Sequence, residues 1–367
     1  MSEDNLSRLY ITADKTVLDA LKQMDRVAKK LLILVDEEST YQNLISVGDL
    51  QRAVINNVPL SAKIAELKID AKWVCNKSDS FSHIKRTMAK IRCDFMPVVD
   101  EHNNVIAIHY WNNVFGGADR YKSKVCKAIP VVIMAGGKGT RLKPISNVLP
   151  KPLTPVGERT ILEEIIDQFQ AVGCDKFHLS VNYKKELIQY FVDGFKSDDY
   201  SIDYVCESKP LGTAGSLALL RDKIDNTFFV TNCDILINQN LDEVLGYHRR
   251  NCNKITLIAA LKHHKLSYGT LKTGDDGVLL ALEEKPEFTF KINTGVYLLE
   301  PEVFEFLQDD EYMDITDLIE TVKNSGGQVG VFPISDKSWM DIGEWPEYIK
   351  TVHSLSDDDN FNGLIFN

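Results

Sequence analysis

The chain has 367 residues, 44% apolar and 26% charged, the balance of an ordinary water-soluble globular protein with room for two or three domains. Its formal net charge of −11 excludes a general nucleic-acid binder, so any site for a phosphorylated ligand must gather positive charge locally. No run approaches the roughly 20 apolar residues of a membrane span, the opening MSEDNLSRLY is unlike a signal peptide, and seven singly scattered cysteines without C-x-x-C fit reduced thiols in a cytoplasm.

Residues 1–125 carry a weak internal repeat. One copy reads TVLDALKQMDRVAKKLLILVDEESTYQNLISVGDLQRAV and the other DSFSHIKRTMAKIRCDFMPVVDEHNNVIAIHYWNNVF. Each opens with apolar residues at helical spacing (Val17, Leu18, Leu21, Met24; Ile84, Met88, Ile91). Each then runs through an apolar strand ending Val-Asp, a polar turn and a second apolar strand. One copy cannot bury its own apolar face, so the two are expected to pack as a pair in a small α/β domain. Over residues 8–120 the pattern resembles a tandem pair of CBS motifs, whose members commonly hold an adenine nucleotide by a Ser/Thr-x-x-Asp segment on its ribose. The resemblance implies that role for Ser46 and Asp49 in the first copy, whereas Tyr110 and Asn113 depart from it in the second. It also implies one regulatory nucleotide rather than two, and a homo-oligomer formed through the apolar helices of the pair. The polar RYKSKVCKA stretch, 120–128, reads as a linker to a second domain covering 126–367.

From Ile129 the pattern alternates. PVVIMAG, KFHLSV, SIDYVCE and TFFVTNCD read as strands, separated by helical stretches at 160–172, 184–194 and 213–222. Such βαβ units predict a Rossmann-like, mostly parallel sheet, whose ligands gather beyond the carboxyl ends of the strands. A glycine turn follows the first of them. Gly136, Gly137 and Gly139 let backbone N–H groups approach a ligand, and Arg141 and Lys151 bring two cations along a path stiffened by Pro144, Pro150 and Pro152. The stretch matches neither a P-loop nor a dinucleotide fingerprint.

G-G-x-G-T-R-L-x-P followed by P-K-P is similar to the signature of the sugar-1-phosphate nucleotidylyltransferases. ESKPLGTAGS, TNCD, LEEKP with INTGVY, and WMDIGEW follow in the family's order, so the resemblance covers 129 to about 350. It implies Arg141, Lys151 and Asp234 as catalytic residues, and Asp234 with Asp341 as ligands of Mg2+, an ion that favours one or two carboxylates plus substrate phosphates. It assigns Gly136, Gly137, Gly139, Thr140, Glu207 and Gly212 to the nucleotide. To the sugar phosphate it assigns Tyr268, Gly269, Glu284, Lys285, Asn293 and Thr294. Taken singly, an Asp at a strand end is as well explained by a helix N-cap, and Glu284–Lys285 by a surface charge run.

The implied reaction joins an NTP to a sugar 1-phosphate and releases pyrophosphate. GTP is favoured, because a carboxylate at Glu207 accepts only, and guanine offers adjacent N1–H and 2-amino donors. The acceptors implied are glucosamine 1-phosphate or mannose 1-phosphate, in supply of surface-sugar donors including those of nonulosonic-acid pathways. A dTTP- or UTP-dependent glucose-1-phosphate enzyme and a catalytically weak nucleotide sensor are the alternatives.

Overall fold

The computed structural model describes residues 4–91, 93, 95–115, 126–195 and 197–349; most of the expected linker, 120–125, and the stretch after 349 lie outside them. The described residues fall into two compact units, 4–115 and 126–349. Among them no helix is long and apolar enough to cross a membrane.

In the first unit both sequence repeats fold alike, as strand, helix, strand, strand, helix. The elements are Tyr10–Thr12, Val17–Val27, Leu31–Val35, Tyr41–Ser46 and Val47–Ile55, then Cys75–Asn76, Phe81–Ile91, Phe95–Val99, Val105–Tyr110 and Trp111–Phe115. Each copy forms a three-stranded sheet whose first two strands are parallel and whose last two are antiparallel. The register even slips at equivalent places, Leu34/Val35 and Val98/Val99. Local chemistry starts the first helix: Thr16 and Asp19 form a capping box, a device worth about 1 kcal/mol. Val17, Leu21 and Met24 of the predicted stripe are buried, joined by Ala20, while Leu18 is only partly buried; Ile84 and Met88 are buried in the second copy beside Met96 and Trp111.

The second unit is built on a seven-stranded sheet in the order Ser201–Cys206, Lys176–Val181, Val131–Met134, Phe228–Asn232, Glu287–Leu299, Ile255–Lys265, Val329–Ser335. The first four strands are mutually parallel, as the alternating pattern predicts, and Val329–Ser335 is parallel to Ile255–Lys265. Glu287–Leu299 runs antiparallel to both neighbours. Val131, Val132 and Ile133 are fully buried, as expected of a central strand covered on both faces. The chain moves outward from Val131–Met134 through two strands and then returns to its other side at Phe228–Asn232. That reversal is a topological switch point, where the loops leaving adjacent strands diverge and open a crevice.

Two elements differ from expectation. The helix expected over 213–222 is a single α turn, Gly212–Gly215, followed by a 3-10 segment, Ser216–Leu220. Its glycines are packing residues: at Gly212, with φ +78°, a Cβ would stand 2.5 Å from the Met313 carbonyl oxygen. Ala214 and Gly215 also donate to that carbonyl, so the segment is fastened to the 311–314 chain rather than extended as a helix. The second difference is an arm. Ile255–Lys265 and Glu287–Leu299 stay paired to Lys265↔Glu287, beyond the last pairing with Val329–Ser335 at Leu261↔Ser335, and the Thr270–Thr273/Leu279–Glu283 ribbon follows them in the chain. Leu271, Leu279, Leu280 and Leu282 are exposed on it.

Candidate functional site

A cavity of about 420 Å³ opens at the switch point. Gly136, Gly137, Gly139, Thr140, Arg141 and Lys151 line one side, and Glu207, Pro210, Gly212, Thr213, Tyr312 and Asp314 another. Asn232, Cys233, Asp234 and Gly343 also line it. Its residues therefore come from the carboxyl ends of Val131–Met134 and Phe228–Asn232, the place the pattern of elements predicts.

The carboxylates converge through a small two-stranded ladder. Ile235–Ile237 pairs antiparallel with Trp339–Asp341, setting Ile235 opposite Asp341, and the Ile342 N–H donates to the Asp234 carbonyl at 2.9 Å. Asp234 and Asp341 are thereby brought together from positions more than a hundred residues apart in sequence. Gly343 completes the arrangement. A Cβ there would lie 2.8 Å from Asp341 Oδ1 and 3.2 Å from Lys151 Nζ, and would collide with Asp234 Oδ2. Gly343 therefore keeps open a small cradle bounded by two carboxylates and one ammonium.

Lys151 lies on the 3-10 turn Lys151–Leu153 and forms an ion pair with Asp234, both side chains being largely buried. Burial draws the ammonium toward neutrality, but the charge and hydrogen bond of Asp234 reverse this and hold its pKa above the ordinary lysine range. Burial pushes the Cys233 thiol up to about 12, so at neutral pH it is uncharged and Asp234 is the operative anion. The Asp341 carboxyl is raised by burial first and by the Asp234 charge as well, against the Gly343 N–H that donates to it at 2.7 Å. Two adjacent carboxylates, one of them pressed toward its neutral form by burial and by the other's charge, make a donor set suited to a hard divalent cation that also takes phosphate oxygens. Among the described residues, no group of three or more His, Cys, Asp or Glu side chains offers a complete protein cage. The residues present fit Mg2+ held partly by a ligand.

Arg141 is 62% exposed and pairs with Glu344 at 2.8 Å. Glu207 lies in the wall, as expected, but both its oxygens have partners: Ser180 Oγ donates to Oε1 at 2.7 Å and the Leu211 N–H to Oε2 at 3.1 Å. It fixes the Leu211 turn against the strand carrying Ser180. Gly212 lines the cavity too, yet what forbids a side chain there is the Met313 backbone.

The sugar-side residues divide. Tyr268 is 82% exposed, and Gly269 faces Glu284, whose Oε2 would lie 2.8 Å from a Cβ at that glycine. Lys285 follows with a left-handed backbone, φ +48°. Asn293 donates its amide to the Tyr297 hydroxyl at 2.8 Å and accepts from the Gly295 N–H at 3.2 Å. Thr294 departs from the sequence reading. It is 1% exposed, and its hydroxyl donates to the Ile258 carbonyl at 2.8 Å, so this side chain is used within the sheet rather than presented to a sugar. Among the described residues, none of these six lines the 420 Å³ cavity.

Sequence reasoning passed over Asn232, Tyr312 and Asp314, which line the cavity, and Glu344, which holds Arg141. Asp314 occupies the N-cap position of Ile315–Asn324, but its side chain makes no capping bond. Thr213 Oγ1 accepts from the Ile315 N–H instead, and Tyr312 donates to both Asp314 oxygens at 3.1 and 3.0 Å.

In the first unit, Ser46 and Asp49 are a capping box for Val47–Ile55. Asp49 is buried, and Lys72 Nζ reaches it at 2.6 Å. Burial alone would raise this carboxyl, but hydrogen bonds from Lys72 and Ser46 outweigh it and hold the pKa below the ordinary range. Asn113 is exposed at the equivalent place in the second copy.

Known proteins share this second unit. The UTP–glucose-1-phosphate uridylyltransferase of Synechocystis is 30% identical over 244 residues, covering 61% of this chain and 62% of the relative. Mannose-1-phosphate guanylyltransferase 1 of Arabidopsis thaliana is 32% identical over 228 residues, 59% of this chain and 62% of the relative. The chain thus spans 62% of the length of each of these two. Among solved structures, HddC from Yersinia pseudotuberculosis superposes with a TM-score of 0.50 at 24% identity, over 62% of this chain and 99% of that one, a likeness of fold. The sequence profile of the nucleotidyl transferase family matches residues 130–358, and the chain belongs to that family.

Proposed function

We propose that the protein transfers a nucleotidyl group from an NTP to a sugar 1-phosphate, releasing pyrophosphate. The observation that carries this is the convergence of Lys151, Asp234 and Asp341 around Gly343, beside the glycine loop at the sheet's switch point. A sugar-phosphate oxygen forms a bond to the α-phosphorus as the bond to the pyrophosphate oxygen breaks in line. Such a displacement needs positioned charge more than a protein nucleophile. In this reading the N–H groups of Gly136 to Gly139 and the Arg141 guanidinium hold the departing pyrophosphate. Lys151, already charged and largely buried, faces the reacting phosphates without having to be ordered first. Asp234 and Asp341 would hold Mg2+, which when bound would supply positive charge to neutralise the phosphates. The Tyr268, Gly269, Glu284, Lys285 and Asn293 set takes the sugar phosphate.

For the nucleotide the reading favours GTP. The E-x-x-P-L-G-T-A-G segment supports it, and each Glu207 oxygen, although engaged, keeps a second lone pair for a guanine donor. Glucosamine 1-phosphate and mannose 1-phosphate are the acceptors proposed. The relatives include both uridylyl and guanylyl enzymes, so UTP with glucose 1-phosphate is the second reading. Pyrophosphate release, measured for four NTPs against glucose, glucosamine, N-acetylglucosamine and mannose 1-phosphates, tests all of this together. Turnover with GTP and one of the two named sugars is the expected result; turnover with no pair contradicts the activity, and preference for UTP or dTTP contradicts the base.

The first unit is proposed as a CBS pair that binds one regulatory nucleotide and joins copies of the chain. The shared topology and shared register slip of its two copies support the pairing. Ribose binding at Asp49 requires exchange of the cations that hold it, Lys72 on Oδ2 and Arg52 on Oδ1, so Lys72→Ala, which removes the more buried of the two, is expected to tighten AMP or ATP binding by calorimetry. Heat with no nucleotide in the full chain contradicts the regulatory site.

A further inference from the structure

The cradle strand Trp339–Asp341 leads into a short segment that straps the glycine loop. The Trp345 indole N–H donates to the Lys143 carbonyl at 2.7 Å and the Tyr348 hydroxyl to the Pro155 carbonyl at 3.0 Å. Both bonds go to backbone, and they fix the strap along the loop from Lys143 to Pro155. The third contact is of another kind. Glu344 Oε1 accepts from Arg141 Nη1 at 2.8 Å, so the strap also takes hold of the loop's cavity-lining guanidinium. A carboxylate is an unfavourable neighbour for a polyphosphate. Its presence beside Arg141 calls for a reason other than ligand attraction.

The pair is exposed, at 62% for Arg141 and 52% for Glu344. An exposed ion pair is weak enough to exchange readily, and a phosphate oxygen competes for the same guanidinium with more charge and better geometry. We propose that Glu344 is a positioning residue acting through Arg141. Its carboxylate stands in for a phosphate oxygen, keeps the guanidinium at the cavity before a polyphosphate arrives, and competes with pyrophosphate for it afterwards. This rests on the reading of Arg141 as the pyrophosphate-binding cation. The competition weakens product binding and so favours its departure. Glu344 needs no contact with substrate, and no proton or covalent bond moves.

Titration calorimetry of inorganic pyrophosphate with Mg2+ tests the proposal in four forms of the full chain: wild type, Glu344→Gln, Arg141→Ala and the double variant. Glutamine keeps an acceptor of similar shape and removes the charge. Glu344→Gln is expected to bind pyrophosphate about two- to five-fold more tightly, the range that an exposed pair spans. In steady state the pyrophosphate inhibition constant and the KM for NTP should fall by the same factor, with kcat not raised. In the Arg141→Ala background the Glu344→Gln change should do nothing, because no guanidinium remains to compete for. Equal tightening in that background would make the effect a general charge effect and overturn the proposal. Unchanged or weaker binding by Glu344→Gln, with Arg141→Ala still impaired, would sink the competition alone. Pyrophosphate binding that ignores Arg141 altogether would remove both this inference and the clamp reading beneath it.

Discussion

The cradle and the arm of the second unit use similar residues, a lysine, carboxylates and glycines, in opposite physical settings. In the cradle Lys151 and Asp234 are largely buried, paired, and crowded against a glycine that has no room for a side chain. On the arm and ribbon Tyr268, Glu284 and Lys285 are exposed. Charge that must be in place whatever the substrate is held by the fold. Groups proposed to read a particular sugar are left to be ordered by it, at some cost in affinity and with some freedom of choice. The same contrast runs along the glycine loop, where Lys151 is held from within and Arg141 only by an exposed partner.

If the contrast is real, damage to the cradle should appear in turnover and damage to the arm in sugar affinity. Asp234→Asn is expected to have the largest effect. It removes a carboxylate and leaves the Lys151 ammonium buried without its anion, lowering kcat by roughly 100-fold or more. Pyrophosphate release at saturating substrates and Mg2+ measures it. A Gly212→Ala substitution should instead cost stability, about 2–3 kcal/mol in urea unfolding, from the Met313 collision and the strained positive φ. Glu284→Gln is expected to raise the KM for the sugar 1-phosphate by about ten-fold and leave that for NTP within a factor of two, as for one lost charge-assisted hydrogen bond.

The smallest effect has the opposite sign. Asp341 carries a pKa above its ordinary value, so its ionised form is disfavoured in the folded chain. Without divalent cation, Asp341→Asn should raise Tm at pH 7 by about 1–3 °C while abolishing most activity. The gain should shrink as pH falls through about 4, where the unfolded carboxyl is protonated too. A Tm lowered in EDTA would mean that Asp341 serves the fold rather than a cation.

The parallel part of the sheet was legible because burial on both faces writes itself as short apolar runs between helical stretches, as at Val131–Met134 and Phe228–Asn232. The later strands were not. Ile255–Lys265 and Glu287–Leu299 leave the sheet partway along their length, so buried Ile258 and Leu261 give way to exposed His264 and Phe288, and no single period covers either strand. At the cavity, the glycine loop, Lys151 and the two aspartates stood in local motifs. Glu344, Tyr312 and Asp314 matter through contacts with Arg141, with each other and with the Gly212 turn, which sequence spacing does not contain. Thr294 shows the converse, a motif residue whose hydroxyl is used by the backbone of the next strand.

The central claim is that the cradle's charge serves the reacting phosphates rather than substrate capture. It is tested most directly by the kinetics of Lys151→Ala with the NTP and sugar pair found by the screen. Turnover reduced by roughly 100-fold, with each KM within about three-fold of wild type, is the predicted result. Unchanged kcat with a raised KM for NTP would contradict it, and would make Lys151 a binding residue like those of the arm.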